Sequence, residues 1–234
     1  MQTYTNEALV KRRATLGKYA SLGGFGLLVA SVLISLDVRY LVWAYAAMLG
    51  GLLLFNIGMI NTRRWGGKLR MDQVLARALK GIDDRYRLFN YYLPADHVLL
   101  TPTGFVVFEP RLHDGEIRCH GDKWKRRGGR FRLLQSIFGE PLGNPTRDAN
   151  RDAAAMTKYI AEHVPDVDAQ AVPVQGVAVF AHANATLVLE DPTVPVVLSK
   201  DLKNFMRRAG GQPKMPPEMY KQLAREFQGK IQSE

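Results

Sequence analysis

Two carboxylates bracket a short apolar hairpin in the stretch PADHVLLTPTGFVVFEPRLHDG, residues 94–115. Asp96 stands just before the first apolar run, and Glu109 ends the second, followed by Pro110 and Arg111. One chemistry that uses such a pair is metal-assisted phosphodiester cleavage, in which a divalent cation activates water and neutralises charge on phosphate. The other reading needs no catalysis. Asp96 caps the hairpin and Glu109 pairs with Arg111 at the surface, an arrangement that contributes about 0–1 kcal/mol. From the residues alone both readings stand.

A second cluster lies downstream in KWKRRGGRFR, where Lys123, Lys125, Arg126, Arg127, Arg130 and Arg132 are interleaved with Trp124 and Phe131 and no acid interrupts. Cations hold phosphates, aromatic rings stack on bases, and a glycine pair lets backbone approach closely. The same composition also suits a solvated hairpin lying against anionic lipid head groups. The stretch HDGEIRCH has His and Cys at a spacing that fits no standard structural zinc finger. No phosphate-cradling GxxxxGK[ST] and no G-x-S-x-G occurs.

These residues need elements to position them. From Met71 to Leu93 the apolar residues Val74, Leu75, Leu79, Ile82, Tyr86 and Phe89 recur at helical spacing, with Gly81 a break. Short β runs are expected over 97–100 and 105–108 around the Thr101–Gly104 turn, and a third over 116–120 after Asp114-Gly115. Asn144-Pro145 reads as a helix start, cap then first turn. Strands are expected over 172–180, 186–190 and 194–198, with helical patches over 202–208 and 217–227. The polar stretch 210–234 reads as a loosely attached C-terminal helix or tail.

The N-terminal third has a different character. Residues 19–36 and 40–62 carry no charge, and only Asp37-Val38-Arg39 separates them. A helix crossing a bilayer needs roughly 20 apolar residues. The two runs therefore read as a transmembrane helical hairpin, with Gly23, Gly24, Gly26, Ala30, Gly50 and Gly51 allowing close approach. Lys11, Arg12, Arg13 and Lys18 precede the first run, and Arg63, Arg64, Lys68 and Arg70 follow the second. The positive-inside rule then puts both termini and the soluble part in the cytoplasm, on the inner or plasma membrane. The net charge of +10 and a pI near 9.8 favour anionic partners, either nucleic acid or acidic lipid. A single cysteine, Cys119, excludes an internal disulfide.

Taken together, LPADHVLLTPTGFVVFEPRLHDGEI, GDKWKRRGG and GEPLGNP resemble the NERD (nuclease-related) domain family over roughly residues 81–180. The resemblance implies an α/β fold with a PD-(D/E)XK-like core of helix, three-strand antiparallel hairpin region, helix and strand, here preceded by the transmembrane hairpin. The implied domain plan is 1–70 for the cytoplasmic segment and spans, 71–209 for the NERD-like domain, and 210–234 for the tail. It also implies Asp96 and Glu109 as ligands for Mg²⁺, and a lysine two residues after the glutamate to orient or deprotonate water. Here that position is Arg111, which stays protonated and offers phosphate affinity without a removable proton. Where relatives often carry a glutamine after Asn-Pro, this chain has Asp148, and an upstream glutamate is matched at best by Asp83 or Asp84. The expectation is thus a membrane-anchored module that binds DNA, RNA or another anionic partner without turnover. The alternative is a metal-dependent nuclease using Asp96 and Glu109, with Arg111 in the lysine's place.

Overall fold

The computed structural model describes residues 1–67, 70–127, 141–211 and 213–233, so Arg130, Phe131 and Arg132 of the basic cluster lie outside the described residues. The chain divides into two compact units, one of which is the apolar hairpin and the other a sheet domain.

In the hairpin, helix α1 (Glu7–Ile34) and helix α2 (Leu41–Gly66) are joined by a single 3-10 turn, Val38–Tyr40. Asp37 caps that turn by accepting the Arg39 N–H at 3.0 Å. At the other end of the hairpin, Arg70 Nη2 and Glu7 Oε1 form an ion pair at 2.9 Å. Both helices are long and apolar enough to cross a membrane, and most of their apolar side chains face outward. The seam between them follows a seven-residue repeat: Val10, Gly17, Gly24 and Ser31 on α1, and Ala44, Gly51, Gly58 and Trp65 on α2, are the buried positions. A period of seven keeps one stripe facing the partner helix and gives left-handed supercoiling. Glycine is required in this seam. A Cβ on Gly24 would sit 2.3 Å from the Phe55 nitrogen, and one on Gly58 would sit 2.3 Å from the Ser21 nitrogen. Gly26 and Gly50, expected among the close-approach residues, have open space around them.

The sheet domain is built on a six-stranded mixed sheet. Its strands are β1 (Gln2–Thr5), β2 (Arg87–Asn90), β3 (His97–Thr101), β4 (Gly104–Arg111), β7 (Val174–Phe180) and β9 (Val196–Leu198), in the order β1-β2-β3-β4-β7-β9. The strands β2, β3 and β4 are antiparallel, whereas β1 joins β2 in parallel and β7 joins both β4 and β9 in parallel. Helix α3 (Met71–Ala78), with Leu79 just after it, and helix α5 (Leu202–Ala209) cover one face through Leu75, Leu79, Leu202 and Met206. Helix α4 (Pro145–His163) and helix α6 (Pro217–Ser233) cover the other through Met156, Ile160, Leu223 and Phe227. A second sheet, in the order β6-β5-β8, consists of β5 (Gly115–His120), β6 (Lys123–Arg127) and β8 (Ala185–Glu190).

Four expectations change. Residues 87–90 form a strand, not the end of a helix. Leu88 and Phe89 are both fully buried, on opposite sheet faces, so the run shows no alternation and its spacing to Tyr86 mimics a helix. The third antiparallel strand of the main sheet is therefore β2, and the expected strand at 116–120 belongs to the second sheet. Residues 1–6 belong with the sheet domain rather than with the hairpin. There Tyr4 stacks on Phe89 with ring centroids 5.4 Å apart, and Asn90 Nδ2 donates to Thr5 Oγ1 at 3.1 Å. The polar C-terminal stretch is firmly packed: its helix α6 buries Phe227 edge-on against Phe105, with centroids at 5.5 Å.

Candidate functional site

The strand end that carries Glu109 and Arg111 is placed by its neighbours on both sides. β4 is registered in parallel against β7, with Glu109 opposite Ala178 and Arg111 opposite Phe180. Residues 105, 107, 109 and 111 point to one face by the two-residue period of a strand. That face is the one covered by α4, since Phe105 and Val107 share a core with Met156 and Ile160. Helix α4 lies close because β7 has glycine beneath it: a Cβ on Gly176 would meet the Ala149 carbonyl at 2.6 Å. The first turn of α4, with Asp148, is thereby brought over the end of β4.

The start of α4 is fixed twice more. Asn144 caps it, its side chain accepting the Arg147 N–H at 3.0 Å, with Pro145 in the first turn. Asn144 Nδ2 also donates to the Asp122 carbonyl in the β5–β6 turn at 3.0 Å, and Trp124 Nε1 donates to Thr146 Oγ1 at 3.2 Å. The second sheet thus holds the helix end that carries Asp148.

At the centre is Arg111, whose guanidinium is used on all three nitrogens. Nη1 pairs with Glu109 Oε1, Nη2 with Asp148 Oδ2 at 2.7 Å, and Nε donates to the Leu142 carbonyl at 3.2 Å. Gly143, with φ +63°, turns the chain over this group. A Cβ there would stand 3.7 Å from Asp148 Oδ2 and 3.8 Å from Arg111 Nη2. The Arg111, Glu109 and Asp148 side chains keep only 11%, 14% and 16% exposure, so the cluster is largely withdrawn from water. Arg151, on the outside of α4, bonds Asp152 at 2.9 Å and Asp148 at 3.4 Å.

Charge within the cluster is unevenly satisfied. Burial pushes the Glu109 carboxyl from its ordinary 4.5 up to about 7; Arg111 opposes this, while Asp152 and Asp148 reinforce it. Desolvation wins even though Glu109 has an ion-pair partner, because that partner also serves Asp148. The one guanidinium buried with them is shared between the two carboxylates, and Asp148 also has Arg151 beside it at 3.4 Å.

Asp96 sits in the bend before β3, half-buried, its carbonyl accepting the Tyr91 N–H at 2.8 Å. The β3–β4 register pairs Val98 with Val107; continued by two residues it sets Asp96 opposite Glu109. The residues present do not fit a divalent cation as they are arranged. Arg111 stands between Glu109 and Asp148, and among the described residues no three Asp, Glu, His or Cys side chains are grouped to hold a metal ion. Asp83, considered for an upstream acid, is turned instead to Arg85 at 2.5 Å. The role of Asp152 went unread in the sequence, although its spacing of four from Asp148 puts the two acids on one helix face.

Strand alternation divides the basic cluster. Lys123, Lys125 and Arg127 are exposed, while Trp124 and Arg126 point inward. Trp124 packs on Phe180 with centroids at 5.7 Å, so its ring is committed to the core rather than offered to a base. Arg126 is held by the Asp114 carboxylate and donates to the Asp114 carbonyl at 2.8 Å. Cross-strand from Lys125 is Arg118, which adds a fourth cation to the outer face, partly offset by Glu116 at 2.5 Å.

No curated protein and no solved structure matches this chain. The nuclease-related domain matches it over residues 64–181, a span that takes in the β3–β4 hairpin, the Glu109–Arg111 strand end, the second sheet's β5 and β6, and the start of α4. By that match over half its length, the chain belongs to the nuclease-related domain (NERD) family.

Proposed function

We propose that this is a membrane-anchored NERD module, with both termini and the sheet domain in the cytoplasm, that binds nucleic acid without cutting it. The observation that carries the reading is Arg111. A nuclease-like strand end is here closed by an internal cation that joins Glu109 to Asp148. A guanidinium stays protonated and so cannot serve as the base, and here each of its three nitrogens already bonds a protein oxygen. The element order α3–β2–β3–β4–β5–β6–α4–β7, with β5 and β6 set apart in the second sheet, supports a PD-(D/E)XK-like core. Anchoring is supported by the outward apolar faces of α1 and α2, and the orientation by the basic residues flanking them.

Binding then belongs to the exposed face of the second sheet, where Lys123, Lys125, Arg127 and Arg118 form a cationic strip. The test uses the full chain in neutral detergent, titrated with a DNA duplex over a range of salt. Replacing Lys123, Lys125 and Arg127 together by Gln is expected to weaken binding. It should also make the slope of log K against log salt shallower by up to about 2.7, roughly 0.9 for each phosphate no longer neutralised. An unchanged slope in a folded variant would overturn nucleic-acid binding by this face and leave it to anionic lipid head groups.

A second reading, Mg²⁺-dependent cleavage, has in its favour that the Val98–Val107 pairing, extended by two residues past the start of β3, runs from Asp96 to Glu109. It requires Arg111 to leave the carboxylates, which means separating a largely buried ion pair.

A further inference from the structure

Away from the Glu109 cluster, the sheet domain has a cleft of about 390 Å³. It is framed by the loop after α3, the β3–β4 turn at Pro102 and Thr103, and the chain leaving α5. Its floor includes Tyr86, which is 6% exposed and whose hydroxyl has no hydrogen-bond partner among the described residues. Gly210 is what leaves that hydroxyl room, since a Cβ there would stand 3.1 Å from it. The hydroxyl itself is open to the cleft rather than sealed in the core, so it presents to whatever enters the cleft a donor that no group among the described residues occupies.

The walls give that acceptor a sign. Arg207 and Lys214 line the cleft, both exposed and with no acidic partner among the described residues. The one acid in the lining, Asp83, is already held by Arg85 through Nη2 at 2.5 Å and Nε at 3.0 Å. Asp83 and Arg85 cancel, leaving two uncompensated positive charges beside a neutral hydroxyl donor. A phosphomonoester has three strong acceptor oxygens and a charge of about −1.5 to −2 at neutral pH, which matches both features. The cleft's volume falls within the range of small-ligand sites. Burial also raises the Tyr86 hydroxyl above its ordinary 10.0, which keeps it protonated as a donor.

We propose that this cleft binds the phosphate group of a small phosphomonoester, with Tyr86 donating to a phosphate oxygen and Arg207 and Lys214 balancing its charge. Two sources carry that chemistry, a free metabolite and a phosphatidate head group. The site is independent of the Glu109 cluster and of the exposed face of β6, so it stands or falls separately from the nucleic-acid reading.

The test is calorimetric titration of the full chain in neutral detergent with inorganic phosphate and with adenosine monophosphate. Saturable binding is expected. Tyr86→Phe should weaken it about fivefold, the worth of roughly one hydrogen bond, without lowering the melting temperature. Arg207→Ala combined with Lys214→Ala should weaken it more than about tenfold, since each charge-assisted hydrogen bond is stronger than a neutral one. Repeating the titration in phosphatidylcholine nanodiscs, with and without phosphatidic acid, separates the sources. Loss of adenosine monophosphate binding only when phosphatidic acid is present identifies the head group as occupant, and unchanged binding identifies a soluble ligand. Absence of saturable binding up to about 10 mM, weaker than the millimolar range of a poor ligand, would overturn the proposal. So would binding that neither the Tyr86 variant nor the double variant changes.

Discussion

At the scale of single residues, the balance of charge around Arg111 has consequences for pH. Glu109 has its carboxyl raised from 4.5 to about 7, so the folded protein holds this proton more tightly than the unfolded chain. The stability this contributes is fully present below about pH 4.5 and is lost as the pH rises through about 7. Glu109→Gln mimics the neutral form and removes that loss. The gap in unfolding free energy between variant and wild type should therefore widen in the variant's favour from pH 5 to pH 8, by up to about 3 kcal/mol at roughly 1.4 kcal/mol per unit. A gap that narrows with rising pH would show that the carboxylate, not the acid, is the favoured form.

Arg111→Met tests the same cluster from the other side. It leaves Glu109 and Asp148 without their shared cation, and should destabilise by about 3 kcal/mol at pH 8. The loss should be smaller at pH 5, where Glu109 is protonated. Arg111→Lys retains the charge but has one nitrogen where three bonds are made, so it should fall between Met and wild type. Melting curves of the three variants at both pH values decide the order. Of this cluster, the pairing of Glu109 with Arg111 was legible from a spacing of two along a strand. The bond to Asp148 was not, because it depends on Gly176 admitting α4 to the sheet, a matter of close approach that no local pattern carries.

At the scale of elements, the two hairpins make different demands. In β6, alternation assigns Lys125 to solvent and Arg126 to Asp114. Arg126→Ala should lower the melting temperature, leaving the half-buried Asp114 carboxylate short of its partner, whereas Lys125→Ala should leave it within error and alter only anion binding. Equal effects on melting would contradict the assignment. The basic composition was plain in the sequence; its division into two faces required the strand's register. In the apolar hairpin, Gly24→Leu and Gly58→Leu should each disrupt helix pairing, because the added side chain meets backbone, while Gly26→Leu and Gly50→Leu should be tolerated. Proximity of the helices, followed by disulfide cross-linking between cysteines placed at Ala14 and Gly66, where a Cβ on Gly66 stands 3.7 Å from the Ala14 Cβ, reads this directly. Hydrophobicity alone revealed both helices. Which glycines face the partner depends on the seven-residue seam, and a glycine-rich run does not disclose its phase. Strands β1 and β2 were missed for a similar reason: four residues are too few to show a period, and β2 is buried on both faces.

At the scale of the whole molecule, an apolar hairpin is joined to a NERD domain whose nuclease-like strand end is tied shut from within. The proposed topology, with both ends of the chain in the cytoplasm, predicts that tags at either terminus are protected from protease added to intact cells. Cleavage of the C-terminal tag from outside would reverse the orientation and separate the domain from cytoplasmic nucleic acid. The central claim, that Arg111 has replaced metal chemistry by an internal ion pair, is tested most directly by plasmid nicking. The full chain in detergent, wild type and Glu109→Ala, is incubated with supercoiled plasmid in Mg²⁺ or Mn²⁺. The expected result is that neither protein nicks the plasmid above the buffer control, while the wild type still binds it. Metal-dependent nicking by the wild type that Glu109→Ala abolishes would contradict the claim.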